Sequence, residues 1–127
     1  MQERQLYEYA VIRVMPRVER EEFLNVGVVL YCNSKKYLEA VYTLNHQRLS
    51  ALCISCDIQE IETYLMAFKN ICKGEGVAGP ISLLPAAARF RWLTATRSTV
   101  VQTSKTHPGL CIEPADMLQK LFKDLVE

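Results

Sequence analysis

The chain has 127 residues, enough for one domain with one hydrophobic core and too few for several. Half of it is hydrophobic and 23% is charged, which excludes an intrinsically disordered chain. Fifteen basic and fourteen acidic side chains leave a formal charge of +1, so bulk electrostatic capture of nucleic acid or of an anionic membrane is not expected.

Residues 6 to 15, LYEYAVIRVM, alternate as a strand. Tyr7, Tyr9, Val11 and Arg13 share one face, Ala10, Ile12 and Val14 the other, and Pro16 stops the run. A charged crossing segment, RVEREE, follows at 17 to 22. Residues 25 to 32, NVGVVLYC, are apolar on both faces, as in a central strand covered on both sides. Gly27 within it signals a bulge or the close approach of another group. Asn33 to Lys36 form a polar turn, and YLEAVYT at 37 to 43 completes a hairpin.

A short helix is predicted from His46 to Leu52. Asp57 then offers an N-cap, with Glu60 three residues on as in a capping box. Ile58, Ile61, Leu65, Phe68 and Cys72 recur at helical spacing, and Gly74 ends the helix. Residues 74 to 84 hold three of the five glycines and are predicted as a loop. Pro85 followed by three alanines predicts a helix over 85 to 95, although Arg89 to Trp92 also alternate with period two. STVVQT at 98 to 103 predicts a fourth strand, and Thr106 to Gly109 a loop. Pro114 opens a last helix, with Leu118, Leu121, Phe122 and Leu125 on its inner face. The expected fold is therefore α+β: a mostly antiparallel sheet of about four strands, in the order β-β-β-α-α-α-β-α, forming one domain over 1–127.

The N-terminus, MQERQLYEYA, carries charge and no long apolar run, which argues against a signal peptide. No apolar run approaches the length of a membrane span. Five unevenly spaced cysteines do not suit a secreted disulfide framework. A cytoplasmic location is expected.

Two blocks are distinctive as whole patterns: YEYAVIRVMPRVEREEFLNVGVVLYC at 7 to 32 and RFRWLTATRSTVVQTSKTHPGLC at 89 to 111. With the leucine-rich C-terminal helix, they resemble a bacterial domain-of-unknown-function family, number 3037 (DUF3037). The resemblance spans most of the chain, with little from 45 to 85. It implies bacterial origin and a small stand-alone protein, and it supplies no catalytic residues. It further implies a setting beside kinases of the HipA type, which phosphorylate proteins in toxin–antitoxin systems, and so a partner or regulator role.

Several groups of residues could carry chemistry. Arg13, Arg17, Arg20, Arg89, Arg91 and Arg97, with Ser98, Thr99 and His107, could converge on an anion, since guanidinium forks suit phosphate and carboxylate. The plainer reading is surface ion pairing with Glu19, Glu21 and Glu22, which contributes little stability. Those glutamates with Asn25 could hold a cation, but no nuclease spacing accompanies them. Cys53-Ile54-Ser55-Cys56 has a spacing that can grip zinc, with His46 and Cys72 as further candidates, or form a redox pair. Lacking a second such pair, it reads more simply as buried thiols. Tyr7, Tyr9 and Tyr31 could line one sheet face, and Trp92 lies among arginines, a pattern able to stack bases. No phosphate-binding glycine loop and no dinucleotide fingerprint occurs, so no cofactor and no catalytic residue is predicted. The leading expectation is a non-enzymatic module acting with a partner protein. An anion- or nucleic-acid-binding domain built on the arginines comes second, and a small metal-dependent enzyme third. A homo-oligomer stays open.

Overall fold

In the computed structural model, the described residues are 3–74, 79–97 and 99–127. Strands β1 (Gln5–Val14), β2 (Leu24–Cys32) and β3 (Tyr37–Tyr42) come first. Helices α1 (His46–Leu52), α2 (Ile58–Lys73) and α3 (Ala86–Leu93) follow, then β4 (Val101–Thr103), β5 (His107–Cys111) and α4 (Pro114–Leu125). The α+β class and the antiparallel sheet agree with the sequence reading. Three stretches differ: the segment from Thr106 expected as a loop enters the sheet at His107 as β5, so the sheet has five strands; the strand expected over 98–103 is Val101–Thr103 among the described residues; and the loop expected over 74–84 carries a 3-10 turn at Pro80–Leu83.

The sheet runs β3-β2-β1, and the far edge of β1 is shared by β4 and β5. Ile12 pairs with Thr103 and Tyr9 with His107. Two residues of β1 therefore face three residues of the edge, which is a bulge at Ser104 to Thr106. Ser104 fills it: its backbone N–H donates to the Val11 carbonyl, and its Oγ accepts the Val11 N–H at 2.8 Å. A proline and a glycine in five residues hid this strand from the sequence reading. An edge position tolerates both, because one side of the strand needs no ladder partner.

β2 lies between two layers, as its two apolar faces require. Val29 and Tyr31 join Ala10, Ile12, Val14, Leu49, Ile61, Leu65, Phe68 and Phe90 on the face covered by α1, α2 and α3. Val28, Leu30 and Cys32 join Tyr7, Leu118 and Phe122 on the face covered by α4. Tyr31 stacks on Phe90, opposite Tyr7 and Tyr9, so the three tyrosines do not share a face. Gly27 meets both expectations placed on it. Val26 is an extra residue between the Gly27–Ile12 and Asn25–Arg13 pairs, and a Cβ at Gly27 would collide with the Val41 carbonyl and Tyr42.

The cap of α2 forms with the Asp57 carboxylate accepting the Glu60 N–H at 3.1 Å. The capping box stays half made, because the Glu60 carboxylate accepts the Tyr64 hydroxyl instead. Gly74 ends the helix in a left-handed conformation, at φ +70°.

Candidate functional site

The expected arginine group is dispersed. Arg13 points to the α4 face, with its guanidinium 4.1 Å from the centre of the Phe23 ring. Arg17 is exposed and pairs with Glu19 at 3.0 Å, and Arg20 pairs with Glu22. Arg89 is structural: it donates to the carbonyls of Ile71, Cys72 and Leu84, sealing the C-terminal end of α2. Arg91 holds Glu8 through two parallel bonds of 2.9 and 3.1 Å. His107 is exposed on β5, its ring tilted against that of Tyr9 with centroids 5.3 Å apart. Ser98 lies outside the described residues. The structure therefore does not gather these groups around one anion. Helical geometry separates Arg89 from Arg91, since residues two apart on a helix point about 200° apart.

Zinc ligation by Cys53, Cys56, His46 and Cys72 is not assembled. Cys72 is buried against the sheet, roughly 24 Å along α2 from Cys56 at the helical rise per residue. His46 pairs with Glu62. Among the described residues, no three His, Cys, Asp or Glu side chains gather as a metal site.

Arg97 and Thr99 do meet a cavity. The Arg97 guanidinium stacks 4.4 Å from the centre of the Trp92 indole and donates to the Trp92 carbonyl. Both side chains border a cleft of about 460 Å³ between α2, α3 and the approach to β4. Tyr64, Phe68 and Ile71 form one wall, Trp92 and Leu93 a second, and Val100 and Val101 a third. Among the described residues, Arg97 makes no ion pair with a carboxylate. Tyr64 and Trp92 remain 46% and 39% exposed, so two large rings face solvent at the mouth. Its walls carry the Tyr64 and Thr99 hydroxyls and the Arg97 guanidinium. Among the described residues, its walls carry no carboxylate, histidine or thiol.

This cleft was only half visible in the sequence. Tyr64, Ala67 and Ile71 form a ridge beside the expected core stripe of α2, at spacings of three and four residues. The signal was an apolar stripe wider than one helix–sheet contact needs. Its partners, Trp92 and Val100, come from elements whose packing only the fold sets.

A family model described as a protein of unknown function (DUF3037) matches residues 9–126. The chain belongs to the DUF3037 family. Its match runs from the middle of β1 to the residue after α4, so the family pattern includes every element that builds the cleft. No curated protein and no solved structure matches this DUF3037 chain.

Proposed function

We propose that this chain is a non-enzymatic interaction module, which binds a partner protein through the cleft between α2, α3 and β4. What supports this reading is the cleft itself: an apolar hollow with two exposed aromatic rings and, at its rim, a guanidinium that meets no carboxylate among the described residues. Aromatic and arginine side chains dominate protein-binding hot spots, because they bury large area with few flexible bonds. The partner supplies an apolar side chain for the hollow and a carboxylate beside it for Arg97. In this reading the protein works in the bacterial cytoplasm, and a HipA-like kinase is the first partner to test.

Trp92 is the sole tryptophan of the chain, so its fluorescence reports the cleft directly. Titration with the candidate kinase is expected to shift the emission to shorter wavelength as the indole is desolvated. Photo-crosslinking from position 64 in the native host is expected to trap one protein. Weak binding unaffected by Trp92→Ala and Arg97→Glu, with no crosslink at position 64, would overturn the reading.

A further inference from the structure

We infer that Cys53 and Cys56 form a reversible dithiol–disulfide pair, oxidised by exchange with small disulfides of the glutathione class. The pair occupies the connection between α1 and α2, in a hollow that shares Val100 with the cleft assigned to partner binding. Cys53 is the C-cap of α1, its N–H bound to the Leu49 carbonyl. Ile54 and Ser55 make a turn, and Cys56 directly precedes the α2 N-cap Asp57. A tight turn brings residues three apart to within about 7 Å at Cα, inside the span of about 4.4–6.8 Å that a disulfide bridges. Cys53 Sγ lies 3.7 Å from Ser55 Oγ in the turn between the two cysteines. Both border an open hollow of about 410 Å³ with Arg17, Asp57 and Glu60. The neighbouring Ile54 is 93% exposed, so a small disulfide can reach the pair.

The two thiols differ in the way an exchange reaction uses. Hydrogen bonds from Cys56 and then Ser55 lower the Cys53 pKa below that of an ordinary thiol. Burial, followed by the hydrogen bond and charge of Cys53, pushes Cys56 up to about 11. Cys53 is thus the nucleophile. Its thiolate attacks one sulfur of the small disulfide. The other sulfur leaves with the electron pair and takes a proton from water. Cys56 then loses its proton to water and attacks the Cys53 sulfur. The Cys53–Cys56 bond forms as the second small thiol is expelled. Two protein thiols and one small disulfide become one protein disulfide and two small thiols. The Cys53 charge has vanished in the mixed disulfide, which removes two of the three causes that hold Cys56 protonated.

The other cysteines serve as internal controls. Cys32, Cys72 and Cys111 are buried. Cys32 on β2 and Cys111 on β5 lie on opposite sides of β1, two strand spacings or about 9.5 Å apart, too far for a disulfide.

The test equilibrates the full chain with mixtures of reduced and oxidised glutathione, quenches with acid, alkylates and digests. In oxidising mixtures, the peptide spanning residues 53 to 56 is expected to lose two hydrogens and escape alkylation. Excess reduced glutathione is expected to restore two alkylated thiols. Cys32, Cys72 and Cys111 stay alkylatable after unfolding. Cys56→Ser is expected to hold a glutathione adduct on Cys53, while Cys56 in the Cys53→Ser variant reacts at least about tenfold more slowly. Double alkylation of the pair at every ratio overturns the inference. So does a glutathione adduct that never closes to the internal disulfide in the unmodified chain, or equal reactivity of the two single variants.

Discussion

The side-chain hydroxyl of Ser104 accepts the backbone N–H of Val11 at 2.8 Å, in the position a carbonyl of the edge strand would otherwise hold. Ser104 is buried, and its hydroxyl proton is in turn donated to the Lys105 carbonyl. Ser104→Ala leaves the Val11 N–H without a partner inside the sheet. A loss of about 1–3 kcal/mol is expected, the usual cost of an unsatisfied buried donor. Urea unfolding checks it, with the midpoint falling and the slope unchanged.

Arg89 and Arg91 sit two residues apart on α3 and do different work. Arg89 is half-buried and satisfies carbonyls at the end of α2 that would otherwise lack donors. Arg89→Ala is expected to cost about 1.5–3 kcal/mol, the range for hydrogen bonds to a charged group. Arg91 pairs with Glu8 with much of its side chain in water, so Arg91→Ala is expected to cost less than about 1 kcal/mol. The two thermal midpoints, compared side by side, decide this. Equal losses would contradict the assignment.

Gly27→Ala places a methyl against the Val41 carbonyl and the Tyr42 Cβ, in the middle of three paired strands. Backbone cannot step aside as a side chain can, and overpacking of about 1–3 kcal/mol is expected. At Gly109 the atoms nearest a new Cβ belong to the far end of the Tyr7 side chain, its ring and hydroxyl, and not to backbone. Gly109→Ala is therefore expected to be the milder change in the same denaturation assay.

Alkaline pH should destabilise the fold. Burial, and after it the Glu39 carboxylate, pushes the Cys72 thiol from 9.0 to about 12. Burial, then Glu39 and Glu113, pushes the Tyr37 phenol from 10.0 to about 12. Between the unfolded and folded values, the native chain holds protons that the unfolded chain has released. Stability is therefore full below pH 9 and falls as pH rises toward 12, with a slope of up to about 1.4 kcal/mol per pH unit for each group. Cys72→Ala is expected to lessen the decline between pH 9 and 10, where the raised Cys56 and Cys111 thiols also contribute and Tyr37 does not yet. Unfolding free energies at pH 8, 9 and 10 measure the slope.

The sequence by itself determined the local elements and the two-sided burial of β2. Periodicity, caps and turn residues are nearest-neighbour properties: Asp57 caps α2, Gly74 ends it, and Pro114 opens α4 wherever those segments pack. The family was legible too, because the two long blocks are themselves sequence patterns. Tertiary structure alone decided which arginines were already occupied. A guanidinium reaches several ångströms from its backbone, so the same residue type seals a helix at Arg89, pairs with a carboxylate at Arg91 and stacks on an indole at Arg97. It also decided that β5 lies in the sheet: edge pairing with β1 outweighs the local turn preference of Pro108 and Gly109. The cleft was decided in the same way, since Tyr64, Trp92 and Val100 stand far apart in the chain and share a boundary only once α2 and α3 dock on the sheet.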